Sequence, residues 1–252
     1  MRLLIDIGNT HVVCSLYHHN KYIEHKRVEL KQNLDETVAC FEKYIDEIES
    51  VVAKHQEIAI SSVVPKLTKV FMSTFKNRYD IEPFLVSNLN ANIKLNVDSA
   101  DEVGNDRICN VRAAIELTKK NCLIIDFGTA TTYDVINDKQ EFIGGAIAPG
   151  IDVSANYLIE KAALLKKTTF KFPKKTIGKN TITNIQSGVM FGAICSIEGM
   201  IKMIENELDS KLYIILTGGF STLISSKLSY KHILEPHLTL DGLNLIYNDN
   251  NE

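Results

Sequence analysis

LLIDIGNTHVVCSLY (Leu3–Tyr17) returns 120 residues later as LIIDFGTATTYDVIN (Leu123–Asn137). Each copy is an apolar, β-branched run ending in Asp, followed by one large apolar residue, a Gly, a small polar cluster and a second run of apolar character. β-Branched and aromatic residues suit a half-buried pleated surface and Gly with small polar residues suits a tight turn, so each copy predicts strand, turn, strand. Copies half a chain apart predict two similar halves, 1–116 and 117–252, each opening with a β-hairpin, and duplication is the simplest cause.

The sequence outward from these hairpins alternates in period. In NLDETVACFEKYIDEIESVV (33–52), Val38, Phe41, Tyr44, Ile45 and Ile48 recur at helical spacing with acids on the other face, which predicts a surface helix. EIAISSVVP (57–65) is a short apolar strand stopped by Pro65, and KVFMSTFKNRY (69–79) returns to helical spacing. In the second half CSIEGMIKMIENEL (195–208) predicts a helix, and LYIILTGGF (212–220) a strand entering a Gly-Gly turn. A mixed α/β architecture follows. The final IYNDNNE (246–252) has little to bury and is expected to fray, with no role.

Of 252 residues, 45% are hydrophobic and 23% charged, and 28 Lys+Arg against 31 Asp+Glu leave a formal charge of -3. That balance excludes a strongly basic nucleic-acid coat and favours small ligands. Five cysteines, an odd number without a CxxC pair, fit a reducing cytosol better than a disulfide framework or a zinc site. Asp6 interrupts the first apolar run too early for a secretory signal, and no apolar run reaches the ~18 residues of a membrane span, so a soluble cytoplasmic protein with no membrane partner is expected. There is no GxxxxGK[ST], GxSxG or HExxH, which removes the P-loop, hydrolase and zinc-protease readings.

Asp6, Gly8, Asn9 and Thr10 sit where the first strand turns back. Such a turn can hold phosphate: Gly8 permits close backbone approach, Thr10 and backbone amides hydrogen-bond phosphate oxygens, and Asp6 faces a divalent cation carried by a nucleotide. The plainer reading is a hairpin turn whose Asn and Gly merely satisfy its dihedrals. Asp126, Gly128, Thr129, Thr131 and Thr132 repeat the design, which a lone structural turn does not need. TGGF (217–220) offers two glycines against which an adenine or ribose could lie, or simply ends a strand. The basic KKTTFKFPKK (166–175) reads either as a solvated loop or as a surface steering anions or nucleic acid through its Lys and two Phe, the loop being preferred. His11 reads as a solvated turn residue.

In this order the three motifs resemble the actin, sugar kinase and Hsp70 superfamily, whose paired ribonuclease H-like domains bind ATP in a central cleft between two phosphate hairpins and an adenosine loop. EVGNDRICNVRAA (102–114), GGAIAPGI (144–151) and GKNTITNIQSG (178–188) complete a set similar to that of type III pantothenate kinases, in that family's order and spacing. The resemblance implies an α/β protein of two ribonuclease H-like (actin-like ATPase) domains. It implies phosphorylation of pantothenate to 4′-phosphopantothenate with ATP and Mg2+, opening coenzyme A synthesis in a cytoplasmic homodimer. Two alternatives stand beside it: a kinase of the same fold acting on another small alcohol or acid, and a non-catalytic nucleotide-binding regulatory protein.

By the same resemblance Asp106 is the catalytic base, and Gly104, Asn105, Asp106, Arg107 and Thr181 hold pantothenate. The ATP site spans Asp6, Ile7, Gly8, Asn9, Thr10, His11, Val12 and Val13 with Thr129. Asp6 would face the magnesium of ATP and Asp126 a potassium or ammonium ion. Asp is a poor base at its ordinary pKa near 3.9, but in a loose phosphoryl transfer the nucleophile's proton leaves late and positioning counts for more. Without the other motifs, Asp106 and Arg107 read as a surface ion pair near a helix start, and Thr181 as a helix N-cap. Where the family commonly has a tyrosine and a proline upstream of GxDR, this chain has Val97 and Ala100, so a wall of the substrate site is expected to be thinner.

Overall fold

The computed structural model of the chain describes residues 1–31, 33–49, 57–162 and 168–251. They divide into two compact units, each built on one sheet. In the first unit β1 (Arg2–Ile7), β2 (His11–His18), β3 (Lys21–Glu29), β4 (Glu57–Ser62) and β5 (Phe84–Leu85) stand in the order β3-β2-β1-β4-β5. β1 is antiparallel to β2 and parallel to β4, and β2 is antiparallel to β3. After a two-residue β6 (Lys94–Leu95), the second unit has β7 (Cys122–Phe127), β8 (Ala130–Ile136), β9 (Glu141–Pro149), β10 (Tyr213–Gly218) and β11 (His232–Leu234). These follow the order β9-β8-β7-β10-β11 with the same strand senses. This repeated arrangement is the ribonuclease H-like topology that the resemblance implies.

Alternation sets the faces. In the first unit Leu3, Ile5 and Ile7 of β1 with Val12, Cys14 and Leu16 of β2 meet helices α1 (Leu34–Glu47) and α2 (Pro65–Tyr79), which contribute Phe41, Tyr44 and Ile45, and Leu67, Phe71 and Phe75. Pro65 starts α2 at the position where a missing N–H costs nothing. Helix α1 ends at Glu47, and Val51 and Val52 of the sequence expectation lie outside the described residues. In the second unit Leu123, Ile125 and Phe127 of β7 with Tyr133 and Val135 of β8 pack on Met190, Ile194, Ile197 and Ile201.

The apolar overlay of the two hairpins is offset by 120 in the first strand and by 119 in the second: Leu3, Ile5 and Ile7 match Leu123, Ile125 and Phe127, whereas Cys14 and Leu16 match Tyr133 and Val135. The second turn is one residue shorter. An ungapped overlay would match Cys14 with Asp134 and turn Tyr133 and Val135 out of the core, where each buried apolar side chain is worth about 1.5–3 kcal/mol.

After α3 (Asn105–Leu117) and α4 (Ile151–Lys161), helix α5 runs Thr181–Leu208, 28 residues, of which sequence periodicity shows only the last half. It is long and apolar enough to cross a membrane by length and composition alone, and Met190, Ile194, Ile197 and Ile201 form the face that it packs into the core of its unit. The described part of the basic stretch places Phe170 against Phe220 and Phe172 against Phe191, ring centroids 5.4 Å apart in both pairs. The two Phe are therefore packing residues; Lys166 and Lys167 lie outside the described residues.

After the short α6 (Ser221–Ser225), the last helix, α7 (Leu238–Asn251), corrects two expectations. It belongs to the first unit, not to a 117–252 half, and the tail does not fray. Leu240, Leu243 and Ile246 pack with Leu4, Ala59, Ile108 and Cys109 on the sheet face opposite the first core. A Cβ on Gly242 would overlap the Cys109 carbonyl, so only glycine allows this approach of α7 to α3. Its polar residues find partners: Asn244 and Asn248 accept from Arg2, which lies 3.8 Å from the Tyr247 ring centroid, and Asp249 pairs with Arg112 at 2.8 Å.

Candidate functional site

Both turns are built on one hydrogen-bond frame. In the first, Gly8 N–H donates to His11 O (3.0 Å), Leu30 N–H to Thr10 O (2.7 Å) and Val63 N–H to Ile7 O (3.0 Å). In the second, Gly128 N–H donates to Ala130 O, Gly150 N–H to Thr129 O and Gly219 N–H to Phe127 O, each at 3.0 Å. Thr10 is therefore the counterpart of Thr129, and Asn9 is the added residue, exposed at the tip of the first turn. His11 is half-buried as the first residue of β2, beyond the turn itself, and its Nδ1 lies 3.1 Å from an Arg27 nitrogen in an exposed hydrogen bond. Ile7 and Val12 are core residues, which leaves their backbone alone for any ligand, while Val13 is half-buried.

The acids leave their strands at matched places with different backing. Asp6 is paired in register with Ser61 of β4, whose hydroxyl donates to its carboxylate at 2.9 Å. Asp126 is paired with Thr217 of β10 and lies opposite Thr132 of β8. Next to Thr217, Gly218 has φ +84°, and a Cβ there would overlap the Asp126 carboxylate and come within 2.6 Å of Phe127 N. Glycine is required at that point by conformation and by space. Gly150, which caps α4, is equally tied: its Cβ would overlap Thr129 O and lie 2.6 Å from Gly128 O.

In the first unit the chain passes Val97 and Ala100, both half-buried, and enters α3 at Asn105. The Asn105 side-chain amide donates to Ser62 O at 3.1 Å, which ties the helix start to the end of β4 beside the first turn. Asp106 Oδ1 accepts from Arg107 N–H at 2.7 Å. A Cβ on Gly104 would come within 2.5 Å of that Oδ1, so glycine leaves the room the carboxylate occupies. Burial raises the Asp106 carboxyl above the ordinary carboxylate range, and the Arg107 N–H and guanidinium charge offset part of the rise. It is thus not a solvated surface ion pair, and the shift makes it a better base than a free Asp.

One turn further along α3, Cys109 is fully buried, near Ser61, and it senses the charges of both Asp6 and Asp106. Burial, then Asp6, holds its thiol far above the usual range, which makes it inert. Asp6, Ser61, Cys109 and Asp106 therefore form one cluster. Ser61 and Cys109 escape sequence reading; the only signal is a Ser-Ser pair closing an apolar strand. All five cysteines are free.

Thr181, exposed, is the first residue of α5, and the cap is Asn180: its side chain accepts from Thr183 N–H at 2.9 Å, while Thr183 Oγ1 accepts from Asn180 N–H at 3.2 Å. Gln186 donates to Thr169 O at 2.9 Å and Ser187 to Thr176 O. The rest of GKNTITNIQSG thus anchors the preceding loop, and the Thr181 hydroxyl is not spent on the cap.

Among the described residues no group of three or more His, Cys, Asp or Glu forms a metal cage. A single carboxylate at a glycine turn, as at Asp6, suits Mg2+ that arrives with nucleotide phosphates, and Asp126 with its neighbouring threonines offers the hard oxygens a monovalent cation takes.

Comparison with known proteins adds to this geometry. A family model described as type III pantothenate kinase matches residues 2–203. Curated relatives called type III pantothenate kinase include one from Roseiflexus sp. (strain RS-1), 38% identical over 99% of both chains, and one from Dehalococcoides mccartyi (strain CBDB1), 36% identical over 98% of this chain and 95% of that one. Among solved structures, component A of the (R)-2-hydroxyglutaryl-CoA dehydratase of Acidaminococcus fermentans is 13% identical with a TM-score of 0.57, covering 100% and 99% of the two chains. The activator of the 2-hydroxyisocaproyl-CoA dehydratase from Clostridium difficile, solved with bound ADPNP, is 10% identical with a TM-score of 0.51 over 99% and 96%. These two likenesses are of fold.

Proposed function

Because the chain belongs to the type III pantothenate kinase family, we propose how its own residues divide the work of that family's reaction. The enzyme phosphorylates pantothenate with ATP, the first step of coenzyme A biosynthesis. Asp106 takes the proton of the substrate's primary hydroxyl as the hydroxyl oxygen attacks the γ-phosphorus. The observation that carries this role is the half-buried carboxylate at the start of α3, oriented by Arg107 N–H and raised in proton affinity.

Gly104, Asn105, Arg107 and Thr181 hold pantothenate, the guanidinium suiting its carboxylate and the hydroxyl its amide groups. Val97 and Ala100 make a thinner wall than a tyrosine and a proline would, which costs substrate affinity. Gly8, Asn9, Thr10, His11 and Thr129, with the backbone of Ile7, Val12 and Val13, contact the nucleotide. Asp6 holds its Mg2+, which when bound neutralises charge on the phosphate oxygens. Asp126 holds potassium or ammonium. The working form is a cytoplasmic homodimer, with no part for nucleic acid or membrane.

ADP release tests the assignment, measured with pantothenate, with other small alcohols and acids, and with or without potassium. Pantothenate-dependent release that needs potassium supports it. Release with another alcohol alone would point to a kinase of different substrate, and ATP binding with no release at all to a regulatory protein.

A further inference from the structure

Asp6 and Ser61 are a register pair on adjacent parallel strands, and the Ser61 hydroxyl donates to Asp6 Oδ1 at 2.9 Å. Ser61 is completely buried, so its hydroxyl has no water to turn to. Cys109, also buried, lies near it. A carboxylate is a much stronger acceptor than a thiol, so the Ser61 proton points at Asp6. The second unit places another buried hydroxyl residue, Thr217, at the matching position beside Asp126.

We infer that Ser61 is a positioning residue for the nucleotide site: its hydroxyl fixes the Asp6 carboxylate in the orientation that meets the cation carried by ATP. The inference deepens the assignment of Asp6 to Mg2+ and rests on it. Ser61 touches no substrate in this role and acts through Asp6.

The test uses the full chain with Ser61→Ala, Ser61→Thr and Asp6→Asn. Two quantities are read: the Mg2+ concentration giving half-maximal ADP release, and the Mg2+-dependent part of the rise in melting temperature caused by a non-hydrolysable ATP analogue. Losing one hydrogen bond to a charged group predicts about a tenfold rise in half-saturating Mg2+ for Ser61→Ala. The Mg2+-dependent rise in melting temperature should shrink, the KM for pantothenate should stay unchanged, and Ser61→Thr, the residue type of the second unit, should restore both quantities. Wild-type Mg2+ dependence in Ser61→Ala, or a uniform loss of every parameter that Ser61→Thr does not repair, would overturn the inference. An Asp6→Asn variant that keeps wild-type Mg2+ dependence would overturn the underlying reading of Asp6 as well. If Ser61→Ala does not fold, Ser61→Cys, with its weaker donor, carries the same expectation at smaller size.

Discussion

Behind the first turn stands Ser61, whose hydroxyl holds Asp6; beside the second stands Gly218, whose missing side chain leaves room for Asp126. The backbone frame is the same in both, bond for bond, while the side chains around it differ. The first turn is longer by Asn9 and has the half-buried Asp106 at its flank, on the helix start that Asn105 ties to the end of β4. The second is bounded by two glycines that no larger residue can replace. A duplicated scaffold thus fixes where two acids sit, and the residues next to each acid set what it does.

The largest effect expected from breaking this asymmetry is at the residue that only the first unit supplies. Asp106→Asn should lower pantothenate-dependent ADP release by about 10³-fold, the middle of the range for loss of a general base. Stability should move the other way. A carboxyl whose folded pKa is raised destabilises the fold when ionised, and that penalty is full above the folded value and gone below the ordinary one. The Asn variant should therefore melt no lower than wild type at neutral pH, with any advantage vanishing as pH falls; circular dichroism melts across pH check this.

The turns should also differ in tolerance. Gly150→Ala, which drives a Cβ into the Thr129 and Gly128 carbonyls, should cost about 1–3 kcal/mol in denaturant unfolding. Gly8→Ala, with one contact at 3.3 Å to His11 O, should cost less than about 1 kcal/mol. Equal costs would break the contrast. Deleting Asn9 brings the first turn to the length of the second and should leave Val12, Cys14 and Leu16 in the core, with a nearly unchanged melt and a several-fold higher KM for ATP. If the ungapped overlay were correct, the deletion would instead turn Val13 and Ser15 inward and prevent folding. The smallest effect is at the chain end that only the first unit recruits: Arg112→Ala, which removes the pair to Asp249, should cost about 0.5 kcal/mol.

Much of this was legible. The two Asp-Gly turns announced both hairpins, and the period changes announced most helices. The one-residue offset was not, because Asn9-Thr10 and Thr129-Ala130 are equally plausible turn residues, and only the inward positions of Tyr133 and Val135 decide the register. The start of α5 was hidden by Gly188 and Gly192, which dilute the helical signal although the helix runs through both. The tail looked unfit for burial because IYNDNNE is polar, yet its Asn and Asp side chains meet Arg2 and Arg112 across more than a hundred residues of sequence. Asp106 was legible from its motif, but its burial depends on the space beside Gly104, and Ser61 and Cys109 enter the cluster only through tertiary packing.

The acid limb of kcat/KM for pantothenate, followed from alkaline to acid pH in wild type and Asp106→Asn, reads the proposed base directly. The account predicts a wild-type limb midway above the ordinary carboxylate range, with activity lost as Asp106 protonates, and no such limb in the residual activity of the variant. A limb at or below the ordinary Asp value, or the same limb surviving in Asp106→Asn, would contradict it.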